Sequence, residues 1–328
     1  MIVPAVRACG LVTAVGLSAP ASCAAIRAGV DGFTETRFMD KGGEWIIGCP
    51  VPLEEPWRGR EKLIRLVAPA IAECLRAAPG LEPADIVLLL CLSEPDRPGR
   101  FADLDLSLID DVAAFLKVTF HVNSGVVTGG RVGGVDALHA TRDLLNNRRQ
   151  ACILAGVDTF LVAPTLRSFE DNYQLLTSQN SDGFIPGEAG AAVLITDAAS
   201  TGKWLPAGPH LLCRGLGFAR EKATVLSGEP LRGDGIASAV RDALSEAGLD
   251  MSQTDYRMTD TSGEQYRFKE AALAVLRVLR KRRETYEMWH PSDCIGEVGA
   301  ATVPANLAVA LAAVRKGYAP GPRVLGHV

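Results

Sequence analysis

The stretch from Asp182 to Ile195 reads DGFIPGEAGAAVLI, and its two halves follow different rules. Gly183, Pro186 and Gly187 punctuate the first half and close a long polar excursion over 164–189. The second half runs on as a strand, Ala191–Thr196, whose unbroken apolar character marks burial on both faces. Working outward, Cys152–Val157 (CILAGV) and Asp85–Ser93 (DIVLLLCLS) are runs of the same kind. Several doubly buried strands in one chain require helices on both sides of a sheet, so the fold class is α/β.

The helices are present between them. From Glu61 to Ala78 the apolar residues Leu63, Ile64, Val67, Ile71, Cys74 and Leu75 form a helical stripe that Pro79-Gly80 ends. The spacing also predicts a strand in VPAVRACGLVTAVG, a short helix Ser22–Ala28, a helix near Leu104–Leu116 and a strand Val118–Asn123. A glycine-rich turn, SGVVTGGRVGG, then feeds a helix Val132–Asn147. Residues 34–60 read as irregular, and the linker 197–208 is the best internal boundary. Beyond it the grammar repeats with less material: a strand near His210–Phe218, helix Gly235–Ala247, strand Tyr256–Asp260, helix Glu264–Arg282, a loop CIGEVGAA and helix Val303–Lys316. Two related halves, 1–200 and 201–328, are expected to form one compact pseudo-duplicated unit.

Composition narrows the function. The chain has 328 residues, of which 48% are hydrophobic and 22% charged, which excludes a disordered chain. Its net charge of −4 excludes a whole-protein basic field for nucleic acid. The cysteines include no CxxC pair and several sit inside apolar runs, so they read as reduced core thiols rather than metal ligands or disulfides. Residues 1–26 loosely resemble a signal peptide, but Gly10, Gly16 and Pro20 break the apolar core. No run of 18 apolar residues exists, so no membrane span and a cytoplasmic location are expected.

Three stretches together resemble the β-ketoacyl synthase branch of the thiolase superfamily. CGLVTAVGLSAPASCAAIRAGVDGF is similar to its opening strand, loop and helix. Asp182, Gly183, Phe184, Gly187, Glu188, Gly190 and Leu194 match its DGFxxGExxGxxxL segment, and Ile295, Gly296, Gly299, Ala300 and Ala301 match its IGHxGAAxG loop. The resemblance covers most of the chain in the right order; residues 34–60 and 94–120 align poorly. It implies a thiolase-like fold, a duplicated α-β-α-β-α body of five layers, and a homodimer.

The same resemblance implies a cysteine at a helix N-terminus, where amide dipoles favour the thiolate, and two histidines that stabilise a thioester oxyanion. The cysteine position falls on Gly130 or an immediate neighbour, and no cysteine lies between Cys91 and Cys152. The first histidine position carries Asp260, the second Glu297, and an expected lysine is Ser292. Carboxylates facing a developing oxyanion repel it, so decarboxylative condensation is not expected at this site. Arg131, beside Gly130, is expected to pair with Asp260, Glu297 or both, because a buried guanidinium without a partner is costly. Ser292 and Cys294 are expected as neighbours in the same pocket, Cys294 and Ser262 being the candidate substitute nucleophiles. No cofactor is implied: TGGRVGG and IGEVGAA lack the lysine of a phosphate loop and the GxGxxG spacing of a dinucleotide site.

The expected function is therefore that of a non-catalytic ketosynthase-like scaffold or accessory protein, a pseudoenzyme with a protein partner. Resemblance offers two settings: partner of an active ketosynthase or acyl carrier protein, or accessory for effector or adaptor loading in type VI secretion. The alternative is a 3-oxoacyl-(acyl-carrier-protein) synthase-like acyltransferase with a remodelled site. Arg277, Arg280, Lys281, Arg282 and Arg283 form a basic helix end that either complements the helix dipole or docks an acidic partner.

Overall fold

The computed structural model describes residues 2–147 and 150–328. In chain order the elements are β1 (Pro4–Val12), α1 (Ala19–Arg27), β2 (Thr34–Met39), β3 (Trp45–Gly48), α2 (Gly59–Ala77), β4 (Ile86–Cys91), α3 (Leu104–Leu116) and β5 (Gly125–Val127). There follow α4 (Gly133–Asn146), β6 (Ala151–Thr159), α5 (Ala163–Asp171), β7 (Glu188–Asp197), β8 (Leu211–Leu212), α6 (Asp234–Ala247) and β9 (Tyr256–Thr259). The chain continues through α7 (Gln265–Val278), β10 (Met288–Trp289), α8 (Ser292–Ile295), α9 (Thr302–Lys316) and β11 (Val324–His327).

Six strands form one mixed sheet in the order β5-β4-β6-β7-β1-β8, and three form a second in the order β10-β9-β11. The apolar run of β4 shows why the first sheet is covered twice. Ile86, Leu88 and Leu90 pack with α2 and α3, whereas Val87, Leu89 and Cys91 pack with α4 and α9. Alternate side chains leave a strand on opposite faces, so a run without polar gaps demands two apolar partners. On its other side α9 meets Tyr256 and Met258 of β9 through Ala305, Ala308 and Val309. Leu325 of β11 packs with α6 and α7. The order α2/α3, six-stranded sheet, α4/α9, three-stranded sheet, α6/α7 is the five-layered thiolase-like fold.

Two residues of the 182–195 stretch hold this frame together. Gly190 lets α2 close onto β7: a Cβ there would lie 2.1 Å from the Leu66 carbonyl oxygen. Glu188 is fully buried; its Oε1 lies 2.5 Å from Lys62 Nζ and accepts from Val51 N, and its Oε2 accepts from Thr159 Oγ1 at 2.8 Å.

Several expected elements differ. The strand expected over His210–Phe218 shrinks to Leu211–Leu212 and pairs with β1, so it belongs to the first sheet. Residues 118–123 form no strand, although His121 N donates to Ile86 O at the start of β4, and the strand begins later, at Gly125. The irregular segment 34–60 contains the antiparallel β2–β3 hairpin. Helix α7 stops at Val278, where Leu279 turns extended (ψ 113°), which leaves Arg280 to Arg283 outside it.

Candidate functional site

Helices α4 and α9 are entered in the same way. Each is preceded by a 3₁₀ turn that opens on a glycine at positive φ, Gly130 at 54° and Gly299 at 53°, and the two turns pack together. That backbone region suits glycine because it has no Cβ. Neither position opens onto empty space. A Cβ on Gly130 would lie 1.9 Å from Glu94 Oε1, and one on Gly299 would lie 2.1 Å from Asp158 Oδ2. Arg97 joins the two acids, its Nε 3.4 Å from Glu94 and its Nη2 2.5 Å from Asp158. Asp158 accepts from Ala300 N at 3.0 Å and Glu297 from Gly299 N at 2.9 Å, so the positive end of the α9 dipole is already neutralised by carboxylates.

A second cluster adjoins the first. Arg131 Nε lies 2.8 Å from Asp260 Oδ2, and its Nη1 lies 4.0 Å from Glu297 Oε2. The sequence placed these three residues together, and the structure does the same. Neither Arg131 Nε nor Asp260 Oδ2 takes part in an aligned hydrogen bond, so the contact is one of charge rather than direction. Arg267 approaches Asp260 at 3.8 Å and holds Glu264 at 2.6 Å. Burial pushes Glu297 up to about 7, with Arg131 opposing the rise and Asp260 adding to it. Glu264 is likewise raised to about 7, by burial and then by Glu297. On Arg131 burial acts downward, yet Asp260 and Glu297 outweigh it and hold the guanidinium above its usual value.

Local structure explains the convergence. Asp260 follows directly on β9, and Glu297 is strapped to the 182–195 stretch by Glu297 N donating to Ile185 O and Gly187 N donating to Glu297 O, at 2.8 and 2.9 Å. Asp182 accepts from Gln265 N at 2.7 Å and so caps α7, which carries Arg267. Between Asp260, Ser292, Glu297 and Asn306 there remains a cavity of about 10 Å³, room for one water molecule.

Of the two expected pocket neighbours, Ser292 lines this cavity and donates its hydroxyl to Thr261 O. Cys294 does not join it. Its Sγ faces the Ile26 carbonyl of α1 at 4.0 Å within an apolar cluster, and burial and then Asp293 push the thiol up. The turn of α8 that aims Ser292 at the cavity aims Cys294 at α1. Ser262 is buried, with no hydrogen-bond partner for its hydroxyl among the described residues.

Glu94, Arg97, Asp158, Glu264 and Arg267 are site residues that sequence reasoning passed over. A signal existed for the first three. Glu94 and Arg97 follow β4 and Asp158 lies near the end of β6, and the carboxyl ends of adjacent parallel strands are where α/β sheets gather their sites. His290, two residues before Ser292, was also missed; its Nδ1 lies 2.6 Å from Asp293 Oδ2.

No family model and no curated protein matches the sequence. Solved structures match the fold closely. A chain of the ishigamide ketosynthase/chain length factor superposes with a TM-score of 0.73 at 16% identity, over 99% of this chain and 92% of that one. A chain of AntDE:AntF, a type II polyketide acyl-carrier protein in complex with its ketosynthase, gives 0.76 at 14% identity, over 96% and 87%. The ketosynthase ApeO with its chain length factor ApeC, from Xenorhabdus doucetiae, gives 0.69 at 14%, over 93% and 82%. The fold is therefore the thiolase-like fold of ketosynthases and chain length factors.

Proposed function

We propose that this protein is a non-condensing ketosynthase-like scaffold, which acts by binding another protein. One observation carries the reading: the mouth of α4 holds Gly130, which offers no nucleophile, with the half-exposed Glu94 carboxylate resting where a side chain would begin. A carboxylate at a helix mouth is no substitute for a thiolate, and Asp260 and Glu297 repel the charge that an oxyanion hole must attract. Arg131 is engaged by those same acids, and the remaining cavity of about 10 Å³ has no room for an acyl chain. Among the described residues, no helix is long and apolar enough to cross a membrane.

Two of the structural neighbours are ketosynthases solved with chain length factors, and another is solved with an acyl-carrier protein. By analogy, the partner here is a second ketosynthase-like chain or an acyl carrier protein, with a homodimer as the form in its absence. The type VI secretion setting rests on resemblance alone. The test is incubation with malonyl- and acyl-thioesters followed by intact-mass measurement and an assay for released carbon dioxide. The expected result is neither adduct nor decarboxylation. A stable acyl adduct that disappears in Cys294→Ser would overturn the reading in favour of a remodelled acyltransferase.

A further inference from the structure

A cationic cluster on β9, β11 and the segment after α7 lacks its counter-charge. In the three-stranded sheet Leu325 stands opposite Arg257 and His327 opposite Thr259, so Arg257 and His327 leave the sheet on one face, the face that Leu325 packs against α6 and α7. Arg257 Nε and Nη1 are both buried without a hydrogen-bond acceptor, and His327 Nδ1 is buried without a partner. Among the described residues, no carboxylate oxygen lies within 4.0 Å of Arg257 or of Arg283. The Arg257 and Arg283 guanidiniums sit 4.9 and 4.5 Å from the centroid of the Tyr286 ring, which its hydroxyl fixes to Thr254 Oγ1 at 2.5 Å. Arg283 also donates to the carbonyls of Thr254 and Asp255. The Asp255 carboxylate, in the same region, is taken by Arg323 N at 2.8 Å. Burial, and then Arg257, push His327 down to about 4, so it is neutral and adds no charge. Arg280, Lys281 and Arg282 follow on the surface, exposed.

Buried N–H donors gathered without an acceptor are expensive, and the planar fork of a guanidinium is matched to a two-oxygen acceptor. We propose that Arg257, Arg283 and His327 form an oxyanion site that takes a phosphate or carboxylate group. Its source is either a free ion or an acidic segment of a partner protein guided in along Arg280 to Arg282. The site is independent of the chemistry at Gly130, so it stands or falls separately from the scaffold reading.

The experiment uses the full chain. Thermal unfolding is recorded in inorganic phosphate and in sodium chloride of equal ionic strength, and a glutamate-rich peptide is titrated calorimetrically. Phosphate is expected to raise the wild-type Tm beyond chloride, or the peptide to bind, and Arg257→Met to abolish that effect or weaken it at least tenfold. A phosphate effect identifies a free ion as sufficient; peptide binding without one identifies a partner's carboxylates. The proposal is overturned if neither ligand acts, or if the effect survives in Arg257→Met. Should Arg257→Met not fold, Arg283→Met and His327→Gln carry the same comparison with the same outcomes.

Discussion

Gly130 and Glu94 share one volume, and that sharing can be measured. Gly130→Ala places a side chain in left-handed backbone, at a cost of about 1–2 kcal/mol, and pushes the Glu94 carboxylate aside. Chemical denaturation of the single and double variants should show a smaller cost for Gly130→Ala when Glu94 is already alanine. Arg131→Ala leaves Asp260, Glu264 and Glu297 buried together without the cation that holds them, and about 3 kcal/mol of stability should be lost. Denaturation midpoints at pH 8 check this, where the acids are most ionised. The trio Arg131, Asp260 and Glu297 was legible in the sequence because each stands in a recognisable loop. Glu94 and Arg97 were marked only by their place after a buried strand, and their nearness to Gly130 follows from β4 lying between β5 and β6. Strand order is a tertiary fact that no local pattern records.

Among the elements, the doubly buried strands β4, β6 and β7 were the most legible, because both-face burial removes every polar residue from the run. The hairpin β2–β3 was hidden by its own turn: Gly42 and Gly43 read as breakers, although paired glycines also serve at the centre of a hairpin. Strand β5 was displaced because its first residue is Gly125, which reads as part of the turn. The Glu188–Lys62 ion pair ties β7 to α2 and is wholly interior on the glutamate side. Glu188→Ala should cost about 3 kcal/mol, by leaving the Lys62 ammonium and the Val51 amide without their acceptor. A matching Lys62→Met substitution should recover part of the loss, as read by the shift in Tm.

At the scale of the molecule, the raised carboxyls make stability depend on pH in an uncommon direction. Burial first, and then neighbouring acids, raise Glu264, Glu270 and Glu297 from 4.5 in the unfolded chain to about 7 in the fold. Between those values the folded state binds more protons than the unfolded one, so stability falls as pH rises through the window. The protein should be more stable at pH 5 than at pH 7.5, by on the order of 2 kcal/mol for each of these carboxyls. Glu264→Gln combined with Glu297→Gln should flatten that slope in urea titrations.

Helix α9 adds a temporal constraint. It covers the face of the six-stranded sheet that α2 leaves bare, yet it lies more than a hundred residues after β7, the last long strand of that sheet. As the nascent polypeptide leaves the ribosome, the part of that face which α4 does not cover therefore stays bare and adhesive until residue 316 has emerged. Any premature stop before α9 yields a sticky fragment rather than a smaller working protein, and chaperones would be needed most during that interval of synthesis.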